Sequence, residues 1–280
     1  MLEKVTAPAV AMFKRRGRKI AMLTAYDFIF AQLADRAGID IVLVGDSLGN
    51  VILGHETTLP VTMADMLHHT KAVSRGVQRA LVVADMPFLS YHLSPRQALR
   101  NAGRFVKQAG AAAVKVEGGS GRAEVIKRLV ESEIPVMGHI GLTPQSYHRF
   151  GGYRVQGKSA PAAERLLEDA HALAAAGVFS LVLEGIPWEL GKRITAALEI
   201  PTIGIGAGPC CDGQVLVLHD MLGLTAAPPK FVRRFAALDE VVTAAMSRYC
   251  ADVRDGTFPT LDHSYTQPST SENAEQGDNS

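Results

Sequence analysis

Three stretches of this 280-residue chain repeat one plan, in which an Ala-Gly pair is followed by an apolar run and then by a carboxylate. Ala37-Gly38 leads through IDIVLVG to Asp46, Ala109-Gly110 through AAAVKV to Glu117, and Ala176-Gly177 through VFSLVL to Glu184. The glycine suits the residue just past a helix, where φ > 0 is needed, and a continuous β-branched run suits a strand buried on both faces. Arg75-Gly76 before VQRALVVAD is a looser fourth copy, ending at Asp85. Runs of this kind predict eight strands, at about 20–24, 41–46, 80–85, 112–117, 134–139, 180–184, 201–205 and 215–219.

Helical patterns separate most of them. Ser94-Pro95 reads as an N-cap with proline in the first turn, Leu99, Phe105 and Val106 supply an apolar stripe, and Gly110 stops the helix. Ser159 and Pro161 open another helix in the same way. Eight strand–helix units favour closure into an α/β (β/α)8 TIM barrel over an open sheet. Thr6 and Pro8 start a short helix running to Gly17, which is expected to cap the bottom of that barrel. Residues 1–265 are expected to form this single catalytic domain. The segment 266–280 has no aliphatic residue larger than Ala274 and is expected to be disordered.

Composition narrows the function. With 29 Lys+Arg against 28 Asp+Glu, the chain lacks the basic footprint of a nucleic-acid binder. No apolar run approaches the length of a membrane span, and the basic stretch Lys14–Lys19 is not followed by a cleavage pattern. Three cysteines, two of them adjacent at Cys210 and Cys211, build no disulfide framework, so a cytoplasmic location is expected.

Active sites of barrels lie at the carboxyl ends of the strands. Asp46, Asp85, Lys115, Glu117, His139 and Glu184 all fall there. Any one acidic residue closing a strand is often only a cap for the next helix, but this many together are costly for a merely structural protein. Asp46, Asp85 and Glu117 come from strands 2, 3 and 4, and an all-oxygen set of this kind suits Mg²⁺ better than zinc. Lys115 and Glu117 are two apart, so they share a face, and the ammonium can meet a substrate carboxylate. Glu184, among apolar neighbours in LVLEG, is expected to have a raised proton affinity, as a general base for carbon-acid chemistry requires. His139 reads more simply as a satisfied core histidine. His68 and His69 read as surface residues. Gly204–Gly208 follows strand 7, but it lacks the spacing of a phosphate loop, and close backbone packing explains it equally well.

At these residues the sequence resembles the ketopantoate hydroxymethyltransferase family, from about residue 3 to 265. The matching motifs are KIAMLTAYD at 19–27, VGDSLGN at 44–50, GHETTLPVTMADM at 54–66, DMPF at 85–88, VKVEGG at 114–119, MGHIGLTPQS at 137–146, FGGYRVQGK at 150–158, LVLEGIP at 181–187, GIGAG at 204–208 and CDGQVLVLHD at 211–220. Asn50, Glu133 and Cys210 depart from the usual pattern without touching the proposed chemistry.

The resemblance implies Mg²⁺ held by Asp46 and Asp85, with Glu117 in the metal shell. It assigns Ser47, Asp85 and Lys115 to the keto acid and Glu184 to proton abstraction, and Asp46 and His139 are also expected to bind substrate. The implied reaction transfers a hydroxymethyl group from 5,10-methylenetetrahydrofolate to 3-methyl-2-oxobutanoate, giving 2-dehydropantoate for pantothenate synthesis, in a homo-oligomer that is typically a decamer. Two alternatives remain open: a Mg-dependent carbon–carbon lyase of the phosphoenolpyruvate mutase and isocitrate lyase type, and a non-catalytic sensor or scaffold.

Overall fold

The computed structural model of the protein describes residues 3–267. Its strands are β1 (Ile20–Thr24), β2 (Ile41–Val44), β3 (Leu81–Asp85), β4 (Ala113–Glu117), β5 (Val136–Gly141), β6 (Ser180–Glu184), β7 (Thr202–Ile205) and β8 (Gly213–Leu216). All pair in parallel with their chain neighbours, and β8 pairs back to β1, so the expected eight-stranded barrel is closed. The expected disordered tail lies outside the described residues, apart from Thr266 and Gln267. The chain divides into one compact unit through Phe235 and a second from Ala236 onward.

The strands bury both faces, with different partners. Ile20 and Met22, Ile41 and Leu43, Leu81 and Val83, with Ala113, Met137, Val182, Ile203 and Val215, form one buried cluster. These are alternate residues, so their side chains point to the barrel interior. The opposite parity, including Val42, Val44, Val82, Ala84, Val114 and Val116, belongs to a second cluster with the surrounding helices.

The helix Ala7–Arg15 closes the amino end of the barrel. Thr6 caps it by accepting from the Ala9 N–H at 3.3 Å, and Pro8 occupies the first turn, where no helical N–H partner is lost. Val10 and Phe13 project from it into the same cluster as the first inward residues of the strands. Each such side chain contributes about 1.5–3 kcal/mol by leaving water.

Three local readings change. In the helix Pro95–Ala109 the buried face is Ala98, Asn101, Ala102, Phe105 and Ala109, and Val106 stands 38% exposed, one position off the core stripe. β8 begins at Gly213, two residues before the apolar run that marks it in sequence, because Gly213 pairs with Ile20 and a Cβ there would come within 2.6 Å of the Ile20 carbonyl oxygen. Gly76 is the last residue of the helix Met63–Gly76 rather than a left-handed stop. A Cβ at Gly76 would lie 2.6 Å from the Phe28 carbonyl, so this glycine permits close contact with the helix Phe28–Arg36.

The unit from Ala236 is built on the helix Leu238–Arg254, on which no residue is buried. No helix among the described residues is long and apolar enough to cross a membrane.

Candidate active site

The period-two alternation that fills the lower barrel continues to the carboxyl ends of the strands, where the side chains change character. Above Leu81 and Val83 the next inward residue of β3 is Asp85, above Ala113 come Lys115 and Glu117, above Met137 comes His139, and above Val182 comes Glu184. Asp46 and Ser47 form the turn that follows β2. A cavity of about 90 Å³ is lined by all seven residues singled out from sequence, Asp46, Ser47, Asp85, Lys115, Glu117, His139 and Glu184.

Asp46, Asp85 and Glu117 are all buried, and one carboxylate oxygen from each lies within 4.8 Å of the others. Burial first, then the neighbouring charges of Asp85 and Glu117, hold the Asp46 carboxyl well above the usual carboxylate range. Asp85 is also raised, by burial and by Glu117, against the pull of Lys115. Its Oδ1 is buried without a hydrogen-bond partner, although Oδ2 lies 3.0 Å from the Lys115 ammonium. Three converging buried carboxylates, two of them reluctant to ionise and one with an unused oxygen, fit a hard divalent cation, which would relieve both the repulsion and the orphaned acceptor.

Lys115 is held by Asp85 and by Glu117 at 3.3 Å, and His139 Nδ1 lies 3.1 Å from its ammonium. Burial opposes its charge, but Asp85, Glu117 and Asp46 outweigh that, so its pKa is raised. For Glu117, burial is outweighed by Lys115, His139 and the Gln145 N–H, and the pKa is held down to about 2.

His139 is no bystander in the core. Its Nδ1 lies 3.2 Å from Glu117 Oε1 and its Nε2 3.2 Å from Glu184 Oε2. The second contact is off the N–H direction, so it is a charge contact rather than an aligned hydrogen bond. Burial and Lys115 lower the imidazole pKa, but Glu117 and Glu184 outweigh them and hold it up at about 9. Glu184 therefore has a cationic neighbour from β5, which the apolar LVLEG context does not reveal.

Several residues at the site escape a strand-end reading. Gln145, 6% exposed, donates Nε2 to Asp46 Oδ2 at 2.8 Å and its backbone N–H to Glu117 Oε2 at 3.1 Å. The Tyr91 hydroxyl donates to Gln145 Oε1 at 2.7 Å. Tyr26, fully buried, places its hydroxyl 2.8 Å from Ser47 Oγ, and its carbonyl lies 2.6 Å from His69 Nδ1. His69 is thus tied to the site's support rather than free on the surface. Gly208, by contrast, matches the packing reading of its segment, because a Cβ there would lie 2.4 Å from Trp188 Cβ.

A closed parallel barrel with an acidic, lysine-bearing mouth defines the class: an α/β-barrel enzyme whose fold is shared with the phosphoenolpyruvate mutase and isocitrate lyase superfamily. A phosphonopyruvate hydrolase solved in complex with oxalate and Mg²⁺ superposes with a TM-score of 0.62 at 12% identity, covering 93% of this chain and 91% of that one. The 2,3-dimethylmalate lyase of the same superfamily superposes with a TM-score of 0.59 at 19% identity, over 93% and 91% of the two chains. The sequence profile of the family described as ketopantoate hydroxymethyltransferase matches residues 4–261. The 3-methyl-2-oxobutanoate hydroxymethyltransferase of Syntrophomonas wolfei subsp. wolfei is 56% identical over 266 residues, 95% of this chain and 96% of that protein. The chain belongs to the ketopantoate hydroxymethyltransferase family and is a one-carbon transferase.

Proposed function

We propose that the protein transfers the one-carbon unit of 5,10-methylenetetrahydrofolate, together with one water, to C3 of 3-methyl-2-oxobutanoate, giving 2-dehydropantoate and tetrahydrofolate for pantothenate synthesis. The observation that carries this reading is the placement of Glu184 across a small buried mouth from Asp46, Asp85 and Glu117, with Lys115 and His139 between them. Those three carboxylates would hold Mg²⁺, whose role when bound is to stabilise negative charge developing on the oxygen of a bound 2-keto acid.

The protein's own groups account for the rest. The Lys115 ammonium attracts the substrate carboxylate, and Ser47, positioned by the Tyr26 hydroxyl, offers it a hydrogen bond. Glu184 takes the proton from C3, and His139 keeps that carboxylate turned into the mouth. Water adds to the donor's methylene carbon and both C–N bonds break, each leaving its pair on a nitrogen that takes one of the water protons, so the one-carbon unit is freed as formaldehyde. The electron pair left at C3 attacks that carbon, and the carbonyl oxygen takes the proton held by Glu184 to become the hydroxyl. Three free cysteines support a reducing, cytoplasmic setting, and the family resemblance supports a homodecamer.

Metal-dependent exchange of the C3 proton for solvent deuterium, followed by NMR, tests the base. Glu184→Gln should keep keto-acid and metal binding and lose about 10²–10⁴-fold in exchange; undiminished exchange would remove Glu184 from the role. The shared fold favours one competing reading, a metal-dependent carbon–carbon lyase. Product analysis with and without the folate donor separates them, because a lyase turns over without it.

A further inference from the structure

The mouth is small, about 90 Å³. A bulky second substrate therefore has to sit beside it. A cavity of about 600 Å³ adjoins the mouth on the β3–β5 side, walled by the segments that follow those strands. Glu117 lines both spaces, and Gln145, which binds Asp46 and Glu117, forms the partition.

Two features of this cavity define what it can hold. One wall is aromatic: the His92 ring stacks 4.2 Å from Tyr91 and lies 5.2 Å from Phe88, centroid to centroid. The second feature is positive charge: Arg122, whose guanidinium is 5.8 Å from the Tyr91 ring centroid, and Arg149 line the same cavity and make no salt bridge among the described residues. The nearby acids are already engaged, Asp169 by the Ser120 N–H at 2.7 Å and Glu117 by the Lys115 network. His92 Nδ1 is buried without a partner, and burial and Arg122 hold that imidazole neutral, at a pKa of about 4. A bare oxyanion would use the arginines and leave the aromatic wall idle, whereas an apolar ligand would do the reverse.

We propose that this cavity binds the one-carbon donor as a flat aromatic molecule bearing carboxylate, with its ring system against Phe88 and His92 and its carboxylate on Arg122 and Arg149. The inference rests on the reaction proposed above, since only a two-substrate transfer needs a second, larger site next to the first.

The test uses the full-length enzyme with Mg²⁺. Arg149 is exposed, so Arg149→Ala leaves the fold intact, and Arg122→Ala and the double variant follow. Each single change should raise KM for 5,10-methylenetetrahydrofolate about tenfold, and the double variant about a hundredfold. KM for the keto acid and C3 exchange need no donor and should keep their wild-type values, and Arg149→Lys should recover part of the loss. An unchanged donor KM in the double variant, with exchange intact, would overturn the assignment. Absence of C3 exchange in the wild type would instead overturn the proposed reaction. Titration with tetrahydrofolate needs no turnover, and saturable binding that is lost in the double variant would support the cavity in either case.

Discussion

The two ends of the barrel are built from the same eight strands by the same alternation, yet they do opposite things to stability. At the amino end Ile20, Ile41, Leu81 and Val215 meet Val10 and Phe13 of the capping helix, and every group there gains by leaving water. At the carboxyl end the inward positions hold Asp85, Lys115, Glu117, His139 and Glu184, and burial works against nearly every charge. The lower end supplies the free energy that lets the upper end keep an acidic cluster together. If so, damage to one end should leave the property of the other untouched.

Asp46→Asn is the largest test. It removes one of three converging carboxylates while keeping an oxygen for Gln145, so Mg²⁺-dependent exchange should fall at least about a hundredfold. In chelator the same variant should be more stable than the wild type, by about 1 kcal/mol or roughly 2–4 °C in Tm, because a buried repulsive charge is gone. A loss of metal-free stability would break the contrast between the two ends. Phe13→Ala, at the other end, should cost about 3 kcal/mol in urea unfolding and leave exchange per folded molecule unchanged. A drop in exchange would show that the capping helix positions the mouth.

The sequence reveals this division only in part. The inward carboxylates and Lys115 are legible because a polar residue ending an apolar strand breaks a pattern, and the barrel converts that position into a place. Gln145, Tyr91, Tyr26 and His69 break no pattern. Gln145 reaches Asp46 across 99 positions of sequence, from a loop whose composition suggests only a turn. His139 was legible in position but not in partners, since its neighbours Glu117 and Glu184 come from β4 and β6, which the ladder, not the chain, brings beside it. β8 hid its first residues behind Gly213, whose value lies in letting β1 approach.

Two aspartates that follow β2, Asp46 and Asp65, respond to pH in opposite directions. Asp46 is buried among like charges, and its folded pKa lies above the unfolded value. In metal-free protein its ionised form therefore lowers stability at high pH, and stability is recovered as pH falls through the folded pKa. Asp65 does the opposite. It sits in the first turn of the helix Met63–Gly76 in a capping box with Thr62, accepting from the Thr62 N–H at 2.9 Å and from its hydroxyl at 2.6 Å. Those bonds lower its pKa, so its contribution is present above the unfolded carboxylate value and is lost as pH falls through the lowered one. Because the box is solvent-exposed, Asp65→Ala should cost only about 0.5–1 kcal/mol at pH 7. That cost should shrink as pH falls below the ordinary aspartate range and through the lowered pKa of Asp65. Urea unfolding of wild type and variant across that window measures it, and a difference that persists in acid would place the stabilisation in helix packing rather than in the charge of the cap.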